Sequence, residues 1–222
     1  MISSKTEQID TTIRALYKHA RFDKLKIMKG LAKSMSRSMQ PSDFEDAYLS
    51  INQEQGEYLT DLIVNQKFKN IIEFGTSFGI STLFLARGAM KTNGKIITTE
   101  LLASKAEQAI LNFKKAGVSD LIEVRTGDAM ETLKKHNNPI DLLLLDGWKN
   151  LYLPLFKMLE PNFTKETNIY VDNADMPESK TFLKNINPGK YKITSLFGGK
   201  AMLITIKKQG AHLPLIKQSN LK

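Results

Sequence analysis

From residue 69 onward the chain alternates short apolar runs with helix-length segments, a rhythm that leaves few folds open. The apolar runs are Asn70–Phe74, Lys95–Glu100, Leu121–Arg125, Ile140–Asp146 and Asn168–Asp172. Between them lie Ser81–Met90, Ser104–Ala116, Ala129–Lys135 and Asn150–Leu159. Strands separated by helices of roughly 10–15 residues build parallel βαβ units, because a parallel return needs a crossover of that length. The expected class is α/β, with a doubly wound, mostly parallel sheet. Leu142–Leu145 is apolar at every position, as a central strand buried on both faces requires. Two further runs, Tyr191–Phe197 and Ala201–Ile206, are separated only by Gly198, Gly199 and Lys200, so a seven-stranded sheet should close with an antiparallel C-terminal hairpin.

Residues 1–68 read as an N-terminal helical extension and its connections. Ile9, Ile13, Leu16 and Tyr17 recur at helical spacing, and a second pattern runs through Leu25, Met28, Leu31 and Met35. Ser36–Asp43, with Pro41, reads as a loop. A further helix should start near Gln53, with Tyr58, Leu59, Leu62 and Ile63 on its buried side. The simplest division is a helical cap at 1–52, one domain at 53–208 and a basic tail at 209–222.

Composition excludes several chemistries. The chain has no cysteine, which rules out disulfides, thiolate metal sites and thiol nucleophiles. His19, His136 and His212 are too scattered to form a metal site or a triad, and no Gly-x-Ser-x-Gly elbow is present. No apolar run approaches the ~20 residues that cross a bilayer, and the first residues lack the apolar segment of a secretory signal. A cytoplasmic protein without a membrane partner is the expectation. The net charge of +9 would attract nucleic acid, anionic lipid or an acidic substrate. The lysines are spread along the chain, however, with modest clusters only at Lys24–Lys33 and Lys207–Lys222. Solvated helix faces and a basic tail account for them.

The segment from Ile71 through Glu73, Gly75, Ser77 and Gly79 to Ser81 places a strand end, a tight turn of small residues and a helix start in succession. Such a turn offers free backbone N–H groups to a ligand at a helix N-terminus. It is not the dinucleotide fingerprint, because Ser77 and Ile80 stand where that motif has its second and third glycines. The next strand ends in Glu100, where a carboxylate can accept hydrogen bonds from both hydroxyls of a ribose. The third strand is followed by Gly127, Asp128 and Ala129. Asp128 can meet an adenine amino group, cap the next helix, or do both.

The fourth strand ends in Asp146-Gly147-Trp148-Lys149 and the fifth in Asp172-Asn173. In a doubly wound sheet these ends lie side by side, so Asp146, Asp172 and Asn173 offer three converging oxygen ligands suited to Mg²⁺ or another divalent cation. Asp146 and Asp172 can equally cap the helices that follow.

Taken together, Glu73, Gly75, Gly79, Glu100 and Asp128 resemble class I S-adenosylmethionine (SAM)-dependent methyltransferases, whose fold is Rossmann-like. Asp146-Gly147-Trp148-Lys149 with Tyr152, and Asp172-Asn173 with Pro177, narrow the resemblance to the catechol O-methyltransferase-like, divalent-cation-dependent O-methyltransferases. It covers roughly Gly56 to Ile206. The resemblance implies that Glu73, Gly75, Ser77, Glu100, Asp128, Ala129 and Asp146 surround SAM. It also implies that Trp148 packs on SAM, that Ser81 holds its carboxylate end and that Ile51 touches its methionine moiety. Asp146, Asp172 and Asn173 would bind Mg²⁺, Lys149 would be the general base, and Asn173 and Pro177 would border the acceptor. The implied reaction is methyl transfer to a hydroxyl of a small catechol-like or phenolic molecule. The family's mammalian members hold the second hydroxyl with a late glutamate, whereas Lys190–Ile206 contains no acid here.

The rival reading is a metal-independent SAM-dependent methyltransferase of RNA or another macromolecule. Against a nucleic-acid acceptor stand Asp-Gly-Trp-Lys in place of Asn/Asp-Pro-Pro-Tyr/Phe, and the absence of interleaved aromatic and basic residues. A nicotinamide oxidoreductase is opposed by the missing glycine, and a bare scaffold needs none of Asp146, Lys149, Asp172 and Asn173. The N-terminal helices would serve as a lid or as the interface of a homodimer.

Overall fold

The computed structural model describes residues 2–33 and 37–207; Met35, His212 and the basic tail at 209–222 lie outside the described residues. The strands are β1 (Asn70–Phe74), β2 (Lys95–Glu100), β3 (Ile122–Thr126), β4 (Ile140–Leu145), β5 (Phe163–Val171), β6 (Tyr191–Leu196) and β7 (Ala201–Ile206). They form one seven-stranded sheet in the order β3-β2-β1-β4-β5-β7-β6. The first five strands pair parallel. β7 runs antiparallel between β5 and β6, so the closing hairpin inserts its second strand next to the parallel body.

Three helices precede the sheet: α1 (Ile2–Ala20), α2 (Asp23–Lys33) and α3 (Gln53–Gln66). Between and after the strands come α4 (Ile80–Thr92), α5 (Ala103–Lys115), α6 (Ala129–Thr132), α7 (Tyr152–Leu159) and α8 (Pro177–Lys184). The pleat sorts β4 between two cores. Leu142 and Leu144 pack with α1, α3, α4 and α5, while Leu143 and Leu145 pack with α7 and α8 on the other face. That double burial is what the unbroken leucine run demanded. Among the described residues no helix is long and apolar enough to cross a membrane.

Three expectations need correction. The helix expected over Ala129–Lys135 stops at Thr132, where the chain tightens: the Lys134 N–H turns to the Glu131 carbonyl at 3.4 Å and the His136 N–H to the Leu133 carbonyl at 2.9 Å. The helix after Asp172, given no range by the apolar rhythm, is α8, capped by Met176 and not by Asp172; Pro177 at its first turn followed by Glu178 is its start signal. β5 begins at Phe163, five residues before the expected Asn168, across an irregularity where Thr167 Oγ1 donates to the Ile140 carbonyl at 2.6 Å. α2 forms as its periodicity predicts, and Leu25, Met28 and Leu31 on its apolar stripe are exposed.

The order β2-β1-β4 creates a switch point, since the chain leaves β1 toward one side of the sheet and returns to β4 on the other. Ligand crevices form outside the carboxyl ends of strands at such a point.

Candidate active site at the carboxyl ends of the strands

The turn from β1 into α4 is built from residues that tolerate left-handed backbone. Gly75 and Gly79 have φ of 105° and 89°, and Ser77 has 47°. At Gly75 a Cβ would fall 2.7 Å from the Asp146 carbonyl oxygen, so only glycine lets the ends of β1 and β4 approach this closely. The turn is held from β2: Glu100 Oε2 accepts from the Ser77 N–H at 2.7 Å, and its Oε1 accepts from the Leu102 N–H at 3.0 Å. Both oxygens are thereby oriented, and each keeps a free lone pair.

Along the strand ends runs a cavity of about 770 Å³. Gly75, Ser77, Ser81, Glu100, Asp128 and Ala129 line one stretch of it, and Asp146, Trp148, Lys149, Asp172 and Asn173 another. Asp128 also accepts from the Met130 N–H at 2.8 Å, so it caps α6 and faces the cavity at once. Three expected residues do not line it. Glu73 is fully buried beneath the turn, accepting from Thr82 Oγ1 at 2.5 Å and Thr98 Oγ1 at 2.6 Å. Ile51 is buried, with its carbonyl accepting from Tyr17 Oη at 2.9 Å, while its neighbours Tyr48, Leu49 and Ser50 form the wall. Pro177 is exposed at the start of α8; Met176 before it borders the cavity.

Asp146 and Asp172 follow the ends of adjacent strands on one wall of the cavity. Burial raises both carboxyls above the ordinary range, and for Asp146 the facing Asp172 adds to the rise. Lys149 Nζ sits 3.7 Å from Asp146 Oδ1 and 5.8 Å from the centre of the Tyr152 ring. One ammonium cannot balance two buried carboxylates. With the Asn173 amide on the same wall, the donor set is hard oxygen and fits a divalent cation. Among the described residues no cluster of three or more His, Cys, Asp or Glu side chains that could hold a metal occurs.

The structure adds residues that the sequence reading missed. Gln55, the third residue of α3, donates from Nε2 to Asp172 Oδ1 at 2.6 Å. Lys105 on α5 is buried beside Glu100 and donates to the Ala47 carbonyl at 2.8 Å; desolvation lowers its pKa. Gln55 had a local signal, the capping box with Asn52. Nothing in the neighbourhood of Lys105 along the chain marks it.

Fold and site together define a Rossmann-like methyltransferase: a glycine turn after β1, a carboxylate at the end of β2 and a lysine-flanked carboxylate pair on β4 and β5. The profile of the O-methyltransferase family matches residues 21–181, and the chain belongs to that family. Over 102 residues it is 36% identical to the catechol O-methyltransferase of Mycobacterium tuberculosis, covering 46% of each chain. Over 130 residues it is 33% identical to that of Niastella koreensis, covering 57% of this chain and 58% of the relative. The matched stretch thus spans about half the length of these curated relatives. The O-methyltransferase from Bacillus cereus, solved in complex with SAH, superposes with a TM-score of 0.67 at 23% identity, over 93% of this chain and 100% of that one. At that identity the likeness is one of fold.

Proposed function

We propose that this chain transfers a methyl group from SAM to a hydroxyl of a small acceptor with neighbouring oxygens, a catechol or another phenolic diol, with a divalent cation such as Mg²⁺ held by Asp146, Asp172 and Asn173. The carrying observation is the buried pair of carboxylates at adjacent strand ends with Lys149 Nζ 3.7 Å away, on the wall of the cavity that also reaches Glu100. The SAH and catechol named for its relatives agree with that reading.

SAM supplies the electrophilic methyl group. The cation, when bound, supplies Lewis acidity that makes an acceptor hydroxyl easier to ionise and fixes where it sits. The chain's own residues do the rest. Glu100, oriented by Ser77 and Leu102, presents its free lone pairs to a ribose. Trp148 offers a flat face on the cavity wall. Lys149 stands over Tyr152, and in its neutral amine form its Nζ would take the proton of the attacked hydroxyl. The outer rim is apolar: Leu31, Met39, Leu49, Leu101 and Met176 border the cavity with much of their surface exposed. Such a rim suits the non-polar body of an acceptor whose oxygens point inward.

The test is methyl transfer from SAM to a catechol panel with Mg²⁺ and with chelator, alongside Asp146→Ala and Asp172→Ala. Turnover that needs the cation and drops by at least about two orders of magnitude in both variants, with SAM affinity kept, is the expected result. Full turnover in both variants would remove the metal assignment.

A further inference from the structure

Gln55 lies 117 positions from Asp172 in sequence, yet its side chain reaches it. We infer that Gln55 is a positioning residue, whose amide aims the Asp172 carboxylate at the divalent cation; the inference rests on the metal reading proposed above.

The amide has one orientation that satisfies all its neighbours. Gln55 Oε1 accepts from the Asn52 backbone N–H at 3.1 Å, which leaves Nε2 facing Asp172 Oδ1 at 2.6 Å and the Tyr170 hydroxyl at 3.3 Å. A flipped amide would set N–H against N–H and a carbonyl oxygen against a carboxylate. Gln55 is 5% exposed, so no water substitutes for these contacts at low cost. Oδ1 of Asp172 is therefore engaged as an acceptor, and with the Asn173 backbone N–H also bonded to the carboxyl group its orientation is fixed from the protein side. Donors behind ligating carboxylates act in this way, and losing one typically weakens metal affinity about 10–100-fold.

The same side chain belongs to the capping box of α3, so its removal could act through helix stability alone. Asn52→Ala separates the two roles. It deletes the side-chain acceptor for the Gln55 N–H (2.8 Å) but keeps the backbone N–H that orients the Gln55 amide. Gln55→Met loses both cap and aim, at similar volume.

The experiment titrates Mn²⁺ into the SAM-free protein and follows the fluorescence of Trp148, the sole tryptophan, which lines the cavity. Thermal melts confirm that each variant is folded, and Gln55→Leu serves if the methionine variant is not. The expected result is Mn²⁺ affinity reduced about 10–100-fold in Gln55→Met. Asn52→Ala should stay within about twofold of the parent while melting lower. Parental affinity in Gln55→Met, or an equal loss in Asn52→Ala, overturns the positioning role and leaves the metal reading standing. A parent protein that binds no Mn²⁺ overturns both.

Discussion

Glu73 and Glu100 end neighbouring strands, yet the pleat and the turn send them to opposite tasks. Glu73 goes inward to a hydroxyl network of Thr82, Thr98 and Thr76, and its Oε1 has no hydrogen bond. Burial raises its pKa. The folded state therefore holds the Glu73 proton at pH values where the unfolded chain has released it, so this group's contribution to stability falls as pH rises above the ordinary carboxylate range. Glu73→Gln keeps an acceptor for both threonines and removes the charge. Its melting temperature should exceed the parent's by a margin that is small near pH ~4 and grows toward pH ~8; a pH-independent difference would contradict this account. Glu100→Ala removes the carboxylate proposed to accept from the ribose, and calorimetry should show SAM affinity lower by roughly ten- to hundredfold, as for loss of a charge-assisted hydrogen bond. Unchanged affinity would take Glu100 out of the site.

At the scale of elements, the legible features were those with local causes. The all-apolar Leu142–Leu145 run marked the central strand, and the Gly75–Gly79 segment marked the turn. Where an element's end depends on a partner elsewhere, periodicity does not mark it: β5 begins at Phe163, across an irregularity where Thr167 donates to the Ile140 carbonyl of β4. α8 is different, since Pro177 and Glu178 carried a signal that the strand–helix rhythm obscured. The contact between the ends of β1 and β4 can be tested directly. Gly75→Ala puts a Cβ 2.7 Å from the Asp146 carbonyl oxygen on a backbone with φ of 105°. It should lose at least about 1–2 kcal/mol in denaturant unfolding. Because Asp146 must move, Mn²⁺ affinity should fall as well.

Over the whole molecule, the helical extension is tied to the sheet's own helices through Arg87. From α4 its guanidinium donates to Asp10 on α1 at 2.9 Å and to Glu57 on α3. The arginine is largely buried but both acids are partly exposed, so the pairs are moderated by solvent. Arg87→Met should cost about 1–2 kcal/mol and expose α1 to limited proteolysis before the sheet unfolds. A parental digestion pattern would count against that tie. The apolar rim predicts a second whole-molecule property. Acceptors with the same diol and a lengthening alkyl chain should show KM falling about three- to fourfold per methylene while kcat holds, until the rim is covered. A flat series, with the shortest diol still turned over, would reject the rim but not the reaction.

What the sequence determined by itself was the α/β order, the seven strand runs, the glycine turn after β1 and the acids at strand ends, because periodicity, turn chemistry and chain order are properties of neighbouring residues. It could not say that Glu73 turns away from the cavity while Glu100 faces it, that the stripe of α2 stays exposed, or that Gln55 would meet Asp172. Those outcomes depend on how helices rotate and which distant segments share a buried corner. Packing and the desolvation of polar groups decide that only when the chain has closed.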